Sequence, residues 1–419
     1  MTDVHAVTIS LNGVAKTYSA GFQTDVQFSA GWQSVLKTAY GRAEVRCGCR
    51  GVGPSRLAVK YYESDKFSLA KFSLTGGQHA SNCQYYSATS LQPGAGTNGA
   101  GVIDVQADGS VKIRLEIGLI ERGVGPERDA LKQAPNRAAS SSQSSMKLLG
   151  LLQHLWEEAG LTQWKPAFAG KRRASLVYWW LNNAADNVWA GKVKLVDQLL
   201  LAAFGTETRD AERNRVRTAA ALLAKQRLLI IAPLATFTEE RAEAMPRHFK
   251  IGGFHGMPIA FMQAGLWHNT VRRFPNALSA WRQGHATIAI AQVELRQGAK
   301  GIFSTVIDMA LMSITPEYIP VESSYERIVA DMLIAKQRSF AKPLRYNVES
   351  DQVLPDFVLT DTPTHIPMEV FGRSDAKYTE RKLEKTAYYD RQYGKGGWWW
   401  WDATASGATT DLPSLPAPR

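Results

Sequence analysis

Along residues 1–85, short apolar runs alternate with polar positions and are broken by Gly and Ser: VTISL, VQFSA, AEVRCGC, RLAVKYY and FSLAKFSL. Alternation of this kind is the mark of half-buried strands, so the stretch predicts a small β-rich unit. LQPGAGTNGAG (91–101) reads as a flexible linker. VIDVQADGSVKIRLEIGLIER predicts a hairpin with Asp108-Gly109 at the turn, a dipeptide suited to positive φ. The polar run APNRAASSSQSS (134–145) marks the first domain boundary.

Past that boundary the spacing of apolar residues changes to three and four. Leu148, Leu149, Leu151, Leu152 and Leu155 share one helical face. LVYWWLNNAADNVWA, KLVDQLLLAAF and RDAERNRVRTAAALLAKQ extend the expectation of a central helical region over 146–227. In the last of these, Arg213, Arg215 and Arg217 fall close together, with Lys225 further on. Such a helix can lie on DNA as in a winged-helix module, but a solvated charged face is the plainer reading. Over 228–320, strands (LLIIAPLATF, ATIAIAQVEL, FSTVIDMALMSI) mix with a helix near 266–283. His248, His255, His268 and His285 are scattered through this stretch and read as ordinary core or surface histidines.

From residue 321 the elements sharpen. Ser323-x-x-Glu326 is a capping box that starts a helix with Tyr325, Ile328, Val329, Met332 and Leu333 on one face. VLPDFVL and IPMEVFG follow as strands, with Asp361-Thr362-Pro363-Thr364 as the turn between them. DAKYTERKLEKTAYYDRQYG is a helix that aligns Tyr378, Lys382, Lys385 and Tyr389. WWWWDA closes the series as a strand whose tryptophans alternate between faces, one pair for the core and the other for covering the sheet or stacking on bases. The remainder, 406–419, is expected to be a disordered tail.

Composition narrows the class. A length of 419 residues suggests several domains. The net charge of +11 favours polyanionic partners, though surface Lys and Arg can serve solubility alone. No apolar run approaches the ~20 residues that span a bilayer. MTDVHAVTIS lacks the form of a secretory signal, and three cysteines make no disulfide framework, so a cytoplasmic protein without membrane partners is expected.

Those three cysteines all lie within 47–83. Cys47-Gly48-Cys49 and His79-x-x-x-Cys83 form two close pairs with glycines around them, enough for a tetrahedral zinc site. Four ligands leave no open position, so the zinc is expected to be structural. The competing reading is three ordinary buried cysteines.

The C-terminal hairpin permits a geometric step. Centring its turn between residues 362 and 363 puts Asp356 opposite Glu369, with Cβ atoms ~5 Å apart on one face. Two carboxylates among Leu354, Phe357, Val358, Met368, Val370 and Phe371 repel unless a cation lies between them, and Mg²⁺ suits hard oxygen donors. Asp356 can instead be a strand-end residue and Glu369 a salt-bridge partner, while Glu326 is explained by its capping box.

The order helix, strand, strand with Asp, strand with Glu, helix with Lys, strand resembles the PD-(D/E)XK nuclease superfamily. Pro355-Asp356 matches its PD and Glu369 its acidic residue, but Phe371 stands where its lysine belongs. Some branches carry that lysine on the next helix, which points to Lys385 or Lys382. The chain is expected to be α+β and multidomain, with a β-rich zinc-binding domain (1–133), a central helical region (146–227) and a mixed α/β region (228–320). The resemblance implies a restriction-endonuclease-like α/β core at 321–405. It further implies Mg²⁺ or Mn²⁺ at Asp356 and Glu369, with Lys385, Lys382 and Glu326 as further catalytic residues of a nucleic-acid phosphodiesterase, DNA first. Nearly the whole chain also resembles an uncharacterised family of proteobacterial plasmids and integrative elements, through CGC…HASNC, LLGLLQHLWEEAGLTQW, LPDFVLTD, PMEVFG, YTERKLEKTAYY and WWWWDA. The alternatives are a non-catalytic DNA- or protein-binding accessory factor on a nuclease-like scaffold, and a zinc-stapled interaction protein without nucleic acid.

Overall fold

The computed structural model describes residues 3–62, 66–80, 82–86, 102–106, 108–121, 145–344, 354–405 and 412–418. The expected linker at 91–101 lies outside them, as does 134–145 except for Ser145. The fold is α+β, with several sheets and ten α-helices among the described residues.

The N-terminal unit is a five-stranded antiparallel sheet. Its order is Val14–Tyr18, Val7–Leu11, Glu44–Cys47, Arg56–Tyr62, Lys66–Lys71. VQFSA is not a strand, contrary to expectation. It forms a 3₁₀ turn at Val26–Phe28 and enters the helix Ser29–Ala39. That helix turns Trp32, Leu36 and Ala39 onto the sheet, a spacing of four and three that overrides the short apparent alternation.

The predicted hairpin is present: Ile103–Val105 pairs antiparallel with Val111–Ile113. At its turn the Asp108 carboxylate accepts from Ser110 N at 2.8 Å and Gly109 takes φ +84°.

One core then runs through both the expected helical region and 228–320. It joins Leu151, Leu155 and Trp156 of the helix Leu148–Glu158 to Leu199–Leu201, Leu228–Pro233 and the long hairpin Thr287–Gly298/Gly301–Ile314. Each such Leu or Ile side chain contributes ~1.5–3 kcal/mol by leaving water. KLVDQLLLAAF is a correction to the helical expectation: Leu195–Gln198 is a 3₁₀ turn and Leu199–Leu201 a buried strand parallel to Leu228–Pro233. A continuous apolar run carries no period, so a buried strand imitates a helix in sequence. LVYWWLNNAADNVWA likewise divides into the helix Ala174–Ala185 and the strand Val188–Ala190. The helix near 266–283 is two helices, Ala264–Arg273 and Pro275–Arg282, because Pro275 cannot continue the first.

The C-terminal sheet has the order Trp399–Asp402, Ile366–Phe371, Phe357–Leu359, Phe340–Ala341, Gln163–Trp164. The first pair is parallel and the others are antiparallel. With the helices Ser324–Ala335 and Ala376–Tyr393, the chain order is α-β-β-β-α-β. The edge strand Gln163–Trp164 comes from outside 321–405, so this sheet is continuous with the preceding part of the chain. The expected tail at 406–419 is described over 412–418, and there the structure corrects the expectation. Leu412 and Leu415 pack on the C-terminal core, and Arg338 donates to the Pro416 carbonyl at 2.7 Å.

Candidate functional site

The two clusters predicted from sequence lie in different parts of the fold. The first is at the N-terminal sheet. Cys47 ends the strand Glu44–Cys47, and Cys49 follows in the next loop. His79 caps the 3₁₀ turn Gly76–Gln78, and Cys83 lies just beyond it. Only glycine fits at position 51, where a Cβ would stand 1.9 Å from the Gln78 carbonyl oxygen. That close approach brings the two loops together.

Cys47 Sγ and Cys83 Sγ are 3.7 Å apart. His79 Nδ1 is 3.4 Å from Cys49 Sγ and 3.7 Å from Cys83 Sγ. A tetrahedral ion with Zn–S bonds of ~2.3 Å requires S···S edges of ~3.8 Å and slightly shorter S···N edges. All four ligand atoms lie within 4.8 Å of one another, so the quartet can hold a metal ion such as zinc. Backbone N–H groups of Ala80 and Tyr85 point at Cys49 Sγ and Cys83 Sγ, each at 3.5 Å, and favour thiolates. The Cys83 contact holds the Cys47 thiol down to about 4 against its burial, while Cys83 itself is pushed up by its hydrogen bond to Cys47 and by burial. Without a cation the two cannot both be ionised cheaply.

The second cluster is on the C-terminal sheet. The hairpin register pairs Phe357 with Met368 and Leu359 with Ile366, and one step further places Asp356 opposite Glu369, as the turn geometry predicts. Glu369 is 1% exposed. Its Oε2 accepts from Lys385 Nζ and its Oε1 from Tyr389 Oη, each at 2.7 Å. Burial first, then the neighbouring charge of Asp356, pushes its carboxyl up to about 7 against the pull of Lys385 and Tyr389. Asp356 Oδ2 accepts from Val370 N at 2.7 Å. Tyr378, on the same helical face, receives a hydrogen bond from Gly372 N at 3.3 Å.

Lys382 is not at this carboxylate pair. Its ammonium pairs with Asp402 and lies over the rings of Phe371 and Trp400. Glu326 is in its capping box, with Ser323 Oγ accepting from Glu326 N at 3.1 Å. It has a second partner that the sequence did not disclose: Lys342 Nζ at 3.0 Å. Lys342 is 3% exposed. Burial, above all, raises the Glu326 carboxyl to about 7, with Asp356 adding to the rise and Lys342 opposing it. Burial presses Lys342 down, but Glu326, Glu322 and Asp356 together hold it above its ordinary value. The charge of Asp356 thus acts on Glu369, on Glu326 and on Lys342. Among the described residues, the Cys/His quartet is the one group of three or more Cys, His, Asp or Glu side chains close enough to share an ion. Glu326, Asp356 and Glu369 therefore do not form a three-carboxylate ligand set.

A family model described as a protein of unknown function (DUF1173) matches residues 18–404. The chain belongs to the DUF1173 family. The match takes in both clusters, from Cys47 to Asp402. No curated protein and no solved structure matches this chain.

The basic helix of this DUF1173 chain, Arg209–Leu223, is largely self-satisfied. Arg213 pairs with Asp210 and Arg215 with Glu212, each at 2.7 Å. Arg217 turns inward to the Leu199 carbonyl and Asn182 Oδ1, at 2.8 and 2.9 Å. No helix is long and apolar enough to cross a membrane among the described residues. Sequence reasoning missed Lys342. The short strand Phe340–Ala341 leaves no readable period before it, and only the sheet pairing aims that residue at Glu326.

Proposed function

We propose that this chain is a metal-dependent phosphodiesterase acting on nucleic acid, with DNA as the first substrate. Its centre would lie on a restriction-endonuclease-like core of the PD-(D/E)XK type at 321–405, and a structural zinc would staple the N-terminal unit. The observation that carries this reading is the convergence around Asp356. Its charge acts on two further buried carboxylates, Glu369 and Glu326, and each of those is paired with a lysine, Lys385 and Lys342. The α-β-β-β-α-β order supports it. The net charge of +11 suits a phosphate backbone and predicts salt-sensitive binding.

Asp356 and Glu369 would hold Mg²⁺ or Mn²⁺. They fit a hard divalent ion because a cation between them would relieve both the burial and, after it, the neighbouring charge of Asp356 that raise the Glu369 carboxyl. When bound, such an ion supplies Lewis-acid polarisation of a phosphate and eases deprotonation of water. Lys385 lies 2.7 Å from Glu369, where it would orient a nucleophilic water or neutralise charge on the phosphate. Tyr389 fixes the Glu369 rotamer through its hydroxyl. Glu326 and Lys342 hold a buried charge pair behind Asp356 that sets the local field. Zinc at Cys47, Cys49, His79 and Cys83 would have no open position, so it would hold structure only.

A second reading has its own support. Both Glu369 oxygens already have protein donors and Asp356 already binds Val370 N, so the pair is satisfied as a structural network. That favours an accessory factor that binds DNA or protein on a nuclease-like scaffold. The test is cleavage of labelled single- and double-stranded DNA in Mg²⁺ or Mn²⁺, beside Asp356→Ala and Glu369→Ala, with binding followed in parallel. Cleavage lost in both variants while binding persists supports the enzyme. Binding without cleavage by the wild type in either metal supports the scaffold. Salt-independent retention, or none, overturns both nucleic-acid readings.

A further inference from the structure

The segment that completes the Cys/His quartet continues beyond its last ligand. From Ala80 to Tyr86 the chain winds in two consecutive turns on Cys83. Cys83 N donates to the Ala80 carbonyl at 2.8 Å, and Tyr86 N donates to the Cys83 carbonyl at 3.0 Å. Tyr85 N points at Cys83 Sγ at 3.5 Å, and the Tyr85 ring lies 5.6 Å from the His79 imidazole. Both tyrosines pack on the N-terminal core that includes Cys47 and Cys83. The placement of Tyr86 is thus set by a ligand three residues before it.

Tyr86 also reaches the C-terminal sheet. Its ring meets that of His365 edge-on, at 5.1 Å and 61°. Its carbonyl accepts from Gln163 Nε2 at 3.2 Å. Gln163 lies on the edge strand Gln163–Trp164, and His365 immediately precedes the strand Ile366–Phe371 that carries Glu369. Burial first, then the charge of Tyr393 at the end of the helix Ala376–Tyr393, raises the Tyr86 phenol. One residue therefore joins the Cys/His loop to the edge and to the hairpin of another sheet.

We propose that zinc at Cys47, Cys49, His79 and Cys83 is coupled to the docking of Tyr86 on His365 and Gln163, so that the metal fastens the N-terminal unit to the C-terminal sheet. Loops that hold a structural zinc fold with it, which makes the turns at 80–86 a two-state element: wound with metal, loose without it. Two binding events that share such an element strengthen each other by the same factor. The docking of Tyr86 must then appear in the zinc affinity, although His365 and Gln163 are not ligands. An edge-on ring pair corresponds to a ~2- to 12-fold effect on that affinity. The coupling goes beyond the proposed function and holds whether or not the C-terminal centre cleaves a phosphodiester.

The test is zinc retention by the full chain against a colorimetric chelator. The proteins compared are the wild type, Tyr86→Ala, Tyr86→Phe, His365→Ala and the double variant Tyr86→Ala/His365→Ala, with folding checked by thermal transition. Gln163→Ala replaces His365→Ala if the latter does not fold. Tyr86→Ala and His365→Ala should each weaken zinc binding by ~2- to 12-fold. The double variant should lose no more than the larger single loss, because both changes delete one contact. Tyr86→Phe keeps the ring and should hold zinc as the wild type does. Wild-type affinity in His365→Ala overturns the coupling, as does a double variant whose losses add. Hydrogen exchange reads the opposite direction: stripping zinc from the wild type should speed exchange over Ile366–Phe371, and zinc-loaded Tyr86→Ala should show the same rise. Unchanged exchange there on zinc removal also overturns it.

Discussion

Glu157 offers a prediction that can be worked through. It sits near the end of the helix Leu148–Glu158, 6% exposed, and its Oε1 has no hydrogen-bond partner among the described residues. Burial first raises its carboxyl from 4.5 to about 7, with Glu158 adding to the rise and Lys71 opposing it. The sign follows from linkage. A carboxyl raised on folding leaves stability fully present below its unfolded value of 4.5 and removes it as pH climbs toward about 7. The gap corresponds to ~3 kcal/mol lost at pH 8 and under ~1 kcal/mol lost at pH 5. Glu157→Gln keeps the shape and abolishes the ionisation. In a body of about 200 residues each kcal/mol moves Tm by ~2–4 °C. The variant should therefore melt ~6–12 °C higher at pH 8, with only a few degrees gained at pH 5. Scanning calorimetry of both proteins from pH 5 to pH 8 measures this. A shift independent of pH, or a lower Tm at pH 8, would refute the burial argument.

Metal removal and one ionic substitution give two further tests. Purified protein should carry one zinc per chain, and Cys83→Ser should lose it. A structural zinc contributes on the order of 10–16 kcal/mol in small domains, so the N-terminal sheet should become protease-sensitive while the core around Leu151 and Ile230 stays folded. Metal analysis and limited proteolysis report both effects, and a metal-free wild type that resists protease would sink the zinc assignment. Lys342→Met should cost ~3–5 kcal/mol at pH 8 by leaving the Glu326 carboxylate buried and unpaired. Lys342 holds the Glu326 carboxyl down to about 7 against burial, and its removal lets it rise further. The loss should therefore shrink as pH falls toward 7 and be smallest at pH 5, where Glu326 is protonated in both proteins. Equal destabilisation at pH 5 and pH 8 would show that the pair is not the cause.

Much of the local structure was legible because it is written locally. The Ser323–Glu326 capping box, the Asp108-Gly109 turn and the amphipathic spacing of 148–155 each depend on a few neighbouring residues, and each forms. The Asp356–Glu369 register was also legible, since a turn between 362 and 363 fixes every pair in the hairpin. The metal quartet showed through because all three cysteines fall in one short stretch.

What escaped depends on residues distant in sequence. The LLLAAF half of KLVDQLLLAAF is apolar throughout, so only its parallel pairing with Leu228–Pro233 makes Leu199–Leu201 a strand. Gln163–Trp164 completes a sheet whose other strands begin at Phe340, a contact that no local pattern encodes. The tail at 412–418 alternates Pro with Leu, Ser and Ala and shows no helix or strand period, but Leu412 and Leu415 find an apolar surface only after the sheet is assembled. The same holds for the C-terminal cluster. The sequence named Asp356, Glu369 and Lys385, whereas tertiary structure moved Lys382 to Asp402 and brought Lys342 to Glu326. Sequence by itself determined the periods, the caps, the turn and the ligand types. Packing decided which charges are buried together, because desolvation and pairing exist only between groups that the fold has brought into contact.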